Sequence, residues 1–122
     1  MRLLLIDDHS SFLDTVAKML GAEPGMEVIG CATGGTEGLH LAADLKPDAV
    51  IVDFAMPDVD GPTVTRTLKS SSNPPKVVMM SFHADPEYRE MALAAGADAF
   101  LTKTSLYVEL VPLLMRLDKE VG

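Results

Sequence analysis

Cysteine occurs once in this 122-residue chain, at Cys31, so an internal disulfide framework is excluded and a reducing compartment is expected. Cys31 itself reads as a small buried residue. No apolar run approaches ~18 residues, so no membrane-spanning helix is expected. The N-terminus lacks a basic region leading into a long apolar segment. It does not read as a secretory signal, and the cytoplasm is the expected location. Basic residues are the minority: 10 Lys and Arg stand against 18 Asp and Glu, for a net charge of −8. A chain this acidic is a poor direct ligand for nucleic-acid phosphates, so no DNA contact is expected from it. Repeats, low-complexity tracts and internal linkers are also missing. "KSSSNPP" reads as a loop because strand-like sequence resumes at once, and the glycines of "GCATGGTEG" lack the Gly-x-Gly-x-x-Gly order of a dinucleotide site.

What is present is a rhythm. Apolar runs fall at Leu3–Ile6, Val28–Cys31, Ala49–Val52, Val77–Met80 and Ala99–Leu101, about two dozen residues apart. None alternates cleanly, so each reads as a strand covered on both faces. Helical faces lie between them: Phe12, Val16 and Met19–Leu20; Leu39, Ala42–Ala43 and Leu45; Val64 and Leu68; Met91, Ala92 and Ala95. The last face is Leu106, Leu110, Leu113–Leu114 and Leu117. Asp85-Pro86 predicts an N-cap followed by a first-turn proline, and Gly96 a left-handed helix stop. Lys46-Pro47 and Asn73-Pro74-Pro75 end the second and third helices. Pro112 falls inside the last helix and is expected to kink it. Five β-α repeats of this spacing predict one α/β domain, a doubly wound parallel sheet with helices on both faces.

In such a sheet, ligands bind beyond the carboxyl ends of the strands. There the first strand delivers Asp7 and Asp8, the third Asp53, the fourth Ser81 and the fifth Lys103. Taken singly, Asp7-Asp8 reads as a turn and helix N-cap, Asp53 as a strand end, Lys103 as a solvated surface residue, and Ser81 is uninformative. Together they make an edge of three carboxylates, one hydroxyl and one ammonium. Crowded carboxylates raise one another's pKa unless a cation intervenes. All-oxygen ligands suit a hard ion such as Mg²⁺, and Lys103 adds a second positive charge. Such a set matches what the equatorial oxygens of a phosphoryl group require.

The stretches "LLLIDDH", "PDAVIVDFAMPDVDG", "VVMMSFHADPEY" and "GADAFLTK" resemble the receiver domain of bacterial two-component response regulators, over the chain to about residue 120. "SFHADPEY" is most similar to the NarL/FixJ (LuxR-type) branch. The resemblance implies a (βα)5 flavodoxin-like fold with strand order 2-1-3-4-5. It implies residues 1–120 as the receiver, with 121–122 a tail or the start of a linker to an output domain. Asp53 would accept a phosphoryl group from a sensor histidine kinase or phosphotransfer protein. Asp7, Asp8, Asp53 and the backbone carbonyl of Ala55 would hold Mg²⁺, Asp8 being the more direct ligand of the pair. Lys103 would neutralise the phosphoryl oxygens, Ser81 would hydrogen-bond them, and Phe100 would be the aromatic switch. The implied role is a self-modifying signalling switch rather than a turnover enzyme, either as a stand-alone receiver or as the receiver portion of a longer protein that controls transcription through a DNA-binding domain not present here. The surface of the fourth helix, fifth strand and fifth helix is the implied output and dimer face. Tyr88, Met91, Leu106, Tyr107 and Val108 could contribute to it, with Leu113 and Leu114 either core or contact.

Several residues depart from the family pattern. Thr104 follows Lys103 where many receivers carry proline in a cis peptide, which leaves the geometry of that bond open. Phe82 is bulky where a small residue is usual and could narrow access to Asp53. Ala55 and His83 lie at variable positions that tune the phosphoryl lifetime. His9, next to the acidic pair, reads as an exposed helix-start residue or a donor to the site, His40 as a solvated helix residue, and Met56 as packing. Two other functions compete with this one. A haloacid-dehalogenase-type phosphohydrolase needs an Asp-x-Asp motif and room for a cap, and the chain has neither. A phosphorylation-independent interaction module would be favoured by loss of a site carboxylate or lysine, and none is lost.

Overall fold

The computed structural model describes residues 1–121. It alternates strands β1 (Arg2–Ile6), β2 (Glu27–Ala32), β3 (Ala49–Asp53), β4 (Lys76–Ser81) and β5 (Ala99–Thr102) with five helices. These are α1 (Ser10–Gly21), α2 (Gly35–Leu45), α3 (Gly61–Lys69), α4 (Pro86–Ala94) and α5 (Leu106–Val121). All strand pairs are parallel and the order is β2-β1-β3-β4-β5, the doubly wound flavodoxin-like arrangement. The five strands match the five apolar runs to within a residue or two.

Alternation along each strand splits the core in two. Leu3 and Leu5 of β1, Ile51 of β3, Val78 and Met80 of β4 and Leu101 of β5 pack with α1 and α5 through Leu13, Val16, Leu20, Leu106, Leu110 and Leu114. Leu4, Ile6, Val50, Val52, Val77, Met79 and Phe100 face α2, α3 and α4 through Ala42, Val64, Leu68 and Ala92. Both faces are apolar, which is why the sequence shows runs rather than alternation. Each fully buried aliphatic side chain contributes about 1.5–3 kcal/mol, so the centre of the sheet is a rigid platform for the charges at its edge.

The helix ends follow local chemistry with two surprises. Lys46, not glycine, takes the left-handed cap of α2 (φ 49°), held by its own N–H on Ala42 and by the Arg2 guanidinium on its carbonyl at 2.8 Å. Asp85 stands at the N-cap of α4 but makes no side-chain cap. Asp60, which the sequence reading passed over, caps α3 instead, its Oδ1 accepting from Thr63 N–H at 2.8 Å. α5 runs unbroken through Pro112, whose ring lies on the exposed side.

Four readings of burial are corrected. Cys31 is exposed, because β2 is an edge strand whose residues are mostly only half covered. Its thiol pKa is raised by partial burial and by Asp14. Leu106 is wholly buried and belongs to the core rather than the output face. Leu113 and Leu114 are also core. Met91 and Ala43 point outward, since α4 and α2 lay narrower apolar stripes on the sheet than the periodicity predicts.

Candidate functional site

Register places the site. Ile6 pairs with Val52 and Asp53 with Met80, so the residue after β1 arrives beside the last residue of β3. Asp7, Asp53 and Lys103 all continue the alternation of Leu5, Ile51 and Leu101, and so turn toward the α1/α5 side. Asp7 (0% exposed), Asp53 (5%) and Lys103 (2%) are three buried ionisable groups meeting at one point. The Lys103 Nζ lies 2.6 Å from Asp7 Oδ2 and 3.5 Å from Asp53 Oδ1. The contact with Asp7 has ion-pair distance but not the alignment of a hydrogen bond.

Gly61 sits directly behind this point. Its N–H donates to the Phe54 carbonyl at 2.8 Å, and a Cβ there would overlap the Asp53 carbonyl oxygen and the Phe54 backbone. The Asp60-Gly61 pair therefore caps α3 and lets that helix start against the end of β3.

Asp53 is pushed up to about 6, first by burial, then by the charge of Asp7, with Lys103 opposing both. Asp7 Oδ1 accepts from the His9 backbone N–H at 2.9 Å and lies 3.0 Å from His9 Nδ1. His9 Nδ1 is also 3.3 Å from Asp8 Oδ1. His9 is thus both the exposed N-cap of α1 and a neighbour of the acidic pair. Asp7 Oδ2 and Asp8 Oδ1 are buried without a hydrogen-bond donor. Asp7, Asp8, His9 and Asp53 can each offer one ligand atom within 4.8 Å of the others. Three carboxylates this close together, facing one ammonium, fit a small divalent cation such as Mg²⁺. An open cleft of about 570 Å³ beside them is lined by Asp8, His9, Phe54, Ala55, Met56, Pro57 and Asp60.

The remaining candidates form the rim. The Ser81 hydroxyl accepts from His83 N–H at 3.0 Å. The His83 ring stacks on Tyr88 at 4.7 Å, and Tyr88 meets Phe54 edge-on at 5.0 Å. Phe100 is buried, with the Arg89 guanidinium 5.7 Å from its ring centre. Phe82 is 63% exposed. The Lys103–Thr104 peptide is trans, as is every peptide among the described residues. Met91, Tyr107 and Val108 are exposed, and Tyr88 is half-buried. Among the described residues no helix is long and apolar enough to cross a membrane.

The sequence reading missed Phe12 as a neighbour of the site and took it only as a core residue. Its ring centre lies 4.5 Å from Lys103 Nζ. The signal was its place in the first turn of α1, which the sheet aims at the strand ends.

The chain is similar to known proteins over almost its whole length. It is 36% identical over 110 residues to the transcriptional regulatory protein LiaR of Bacillus subtilis, covering 90% of this chain and 52% of that one. It is 40% identical over 103 residues to a protein-glutamate methylesterase/protein-glutamine glutaminase of Geobacter sulfurreducens, covering 84% of this chain and 28% of that one. The chain thus spans about half, or less, of the length of these curated relatives. Its fold superposes on the signal receiver domain of the NarL response regulator of Mycobacterium tuberculosis with a TM-score of 0.91 at 32% identity, covering 97% and 95% of the two chains. Residues 3–114 match the response regulator receiver domain model, and with the acidic cluster and lysine in place at the strand ends, this chain belongs to that family of signalling receivers and is closely related to its NarL/FixJ (LuxR-type) members.

Proposed function

We propose that Asp53 is the phosphoacceptor of this receiver. The observation that carries it is the Lys103 ammonium, buried between Asp7 and Asp53 at 2.6 and 3.5 Å, beside carboxylate oxygens that have no donor. Family membership implies a histidine kinase or phosphotransfer protein as the donor. An Asp53 carboxylate oxygen attacks the phosphorus of the phosphohistidine. A P–O bond forms as the P–N bond breaks, and the electron pair of that bond passes to the imidazole nitrogen. Asp7, Asp8, Asp53 and the Ala55 carbonyl would hold Mg²⁺, which when bound would supply positive charge to the phosphoryl oxygens.

Lys103 supplies the second neutralising charge, its ammonium held 3.5 Å from Asp53 Oδ1 where the incoming oxygens arrive. Ser81 turns its hydroxyl from His83 N–H to the phosphoryl group. That pull on the loop after β4 is read out through Phe100, which packs beneath α4. Phe82, His83 and Ala55 flank the approach and set how long the phosphoryl group survives. Residues 1–120 form the receiver, and the output is control of transcription through a LuxR-type domain elsewhere in the protein. The surface of α4, β5 and α5, carrying Met91, Tyr107 and Val108, is the proposed dimer or output face. A cytoplasmic setting follows from a kinase partner of this type.

The test uses intact-mass measurement with Mg²⁺ and a small phosphoryl donor or a phosphorylated kinase. Wild type should gain one base-labile phosphate, and Asp53→Asn none. An adduct that persists in Asp53→Asn, or no adduct from either donor, would sink the assignment.

A further inference from the structure

Lys103 is the largest fully buried side chain among the described residues, and two benzene rings flank it. Its Nζ lies 4.5 Å from the ring centre of Phe12 and 4.6 Å from that of Phe82. The rings meet each other edge-on at 6.4 Å, and Phe82 also meets the His9 ring edge-on at 6.5 Å. The ammonium has carboxylates on one side and aromatic faces on the other. It has no aligned hydrogen-bond acceptor. Phe82 is 63% exposed, and its ring lies against a 1%-exposed lysine side chain. A desolvated cation facing two ring faces is attracted to both.

We propose that Phe12 and Phe82 are positioning residues that clamp the Lys103 ammonium within reach of Asp53. This inference rests on the phosphoacceptor reading of Asp53 and deepens it. Without the rings, the ammonium is held from the carboxylate side alone, and its four-carbon stem has more freedom to shift away from Asp53. With the clamp, the charge is already in place when the phosphoryl group arrives, so little reorganisation is needed during transfer. The two rings come from different elements, α1 and the loop after β4, so neither alone encloses the ammonium.

The test compares Phe12→Leu and Phe82→Leu, which keep apolar volume but remove the ring face, with Phe12→Tyr and Phe82→Tyr, which keep it. In the NMR spectrum of the wild-type chain, the Lys103 methylene protons next to Nζ should be shifted upfield by the ring currents. Each Leu variant should lose part of that shift, and each Tyr variant should retain it. Phosphorylation of Asp53 by a small donor should slow about three- to tenfold in the Leu variants and stay near wild type in the Tyr variants. Lys103 protons at ordinary positions in wild type would overturn the clamp, as would Leu variants that react as fast as wild type, or Tyr variants as slow as Leu. A wild-type chain that accepts no phosphoryl group while keeping the upfield shift overturns the phosphoacceptor reading, and with it the kinetic role of the rings.

Discussion

Carboxylates occupy both ends of this sheet, and the two ends treat them oppositely. At the amino end, Asp98 accepts from Val77 N–H at 2.7 Å and pairs with Lys69 at 2.7 Å, with Lys76 at 4.0 Å. Asp48 nearby accepts from the Arg2 N–H at 2.7 Å. At the carboxyl end, Asp7, Asp8 and Asp53 crowd one lysine, and two of their buried oxygens have no donor. The first arrangement ties neighbouring strands together. The second stores unfavourable charge that a bound divalent cation can relieve. A carboxylate at a strand end is therefore structural or functional according to whether the fold supplies its donors.

The sharpest way to break this contrast is to neutralise one acid at each end. Asp53→Asn should abolish phosphoryl acceptance, read by intact mass, while making the metal-free chain more stable. Burial and the Asp7 charge hold its pKa up at about 6, so removing the charge should raise the urea midpoint. Asp98→Ala should do the reverse. It leaves the buried Val77 N–H without its acceptor and should lower stability by about 1–3 kcal/mol in the same urea titration.

A pH series sharpens the comparison without mutation. Asp53 binds its proton more tightly folded than unfolded, so its charge opposes folding above about pH 6. That penalty is relieved as pH falls through about 6 toward about 4, and Asp53 alone should make the metal-free chain more stable near pH 5 than at pH 7. Urea midpoints in chelator should show this trend, and Asp53→Asn should flatten it. Mg²⁺ at one hundred times its dissociation constant should add about 2.7 kcal/mol at pH 7.

The smallest effect belongs to Asp58. Its carboxylate accepts from Gly35 and Thr36 N–H, both at 3.0 Å, fastening the loop after β3 to the start of α2. The Thr36 and Gly35 bonds, in that order, hold its pKa well below the usual carboxylate range. The stability it gives is present above about pH 4 and is lost as pH falls further. Asp58→Ala should lower the thermal midpoint slightly at pH 7, and the deficit should narrow in acid.

The strands were legible because parallel strands buried on both faces must be apolar runs, as Leu3–Ile6 and Ala49–Val52 are. The edge was legible because five such strands deliver their last residues to one side. Edges and stripes were harder. Cys31 looks like core in sequence, but an edge strand has a neighbour on one side only. Met91 shares a helical period with Ala92 and Ala95, yet α4 buries so narrow a stripe that Met91 stands outside it. Asp60 and Asp85 both precede a helix, and the sequence does not say which carboxylate will turn back to cap.

By itself, the sequence determined the β-α rhythm, the side of the sheet that carries the site, and the residue types gathered there. Those follow from periodicity and from the geometry of parallel strands, which are local properties repeated along the chain. Only the tertiary structure decided that Lys103 lies nearer Asp7 than Asp53, that His9 bonds Asp7, and that Phe12 and Phe82 enclose the ammonium. Those depend on register and on how α1 docks against the strand ends. Distances of a few ångströms between residues up to 96 positions apart are set by packing, which no short stretch of sequence encodes.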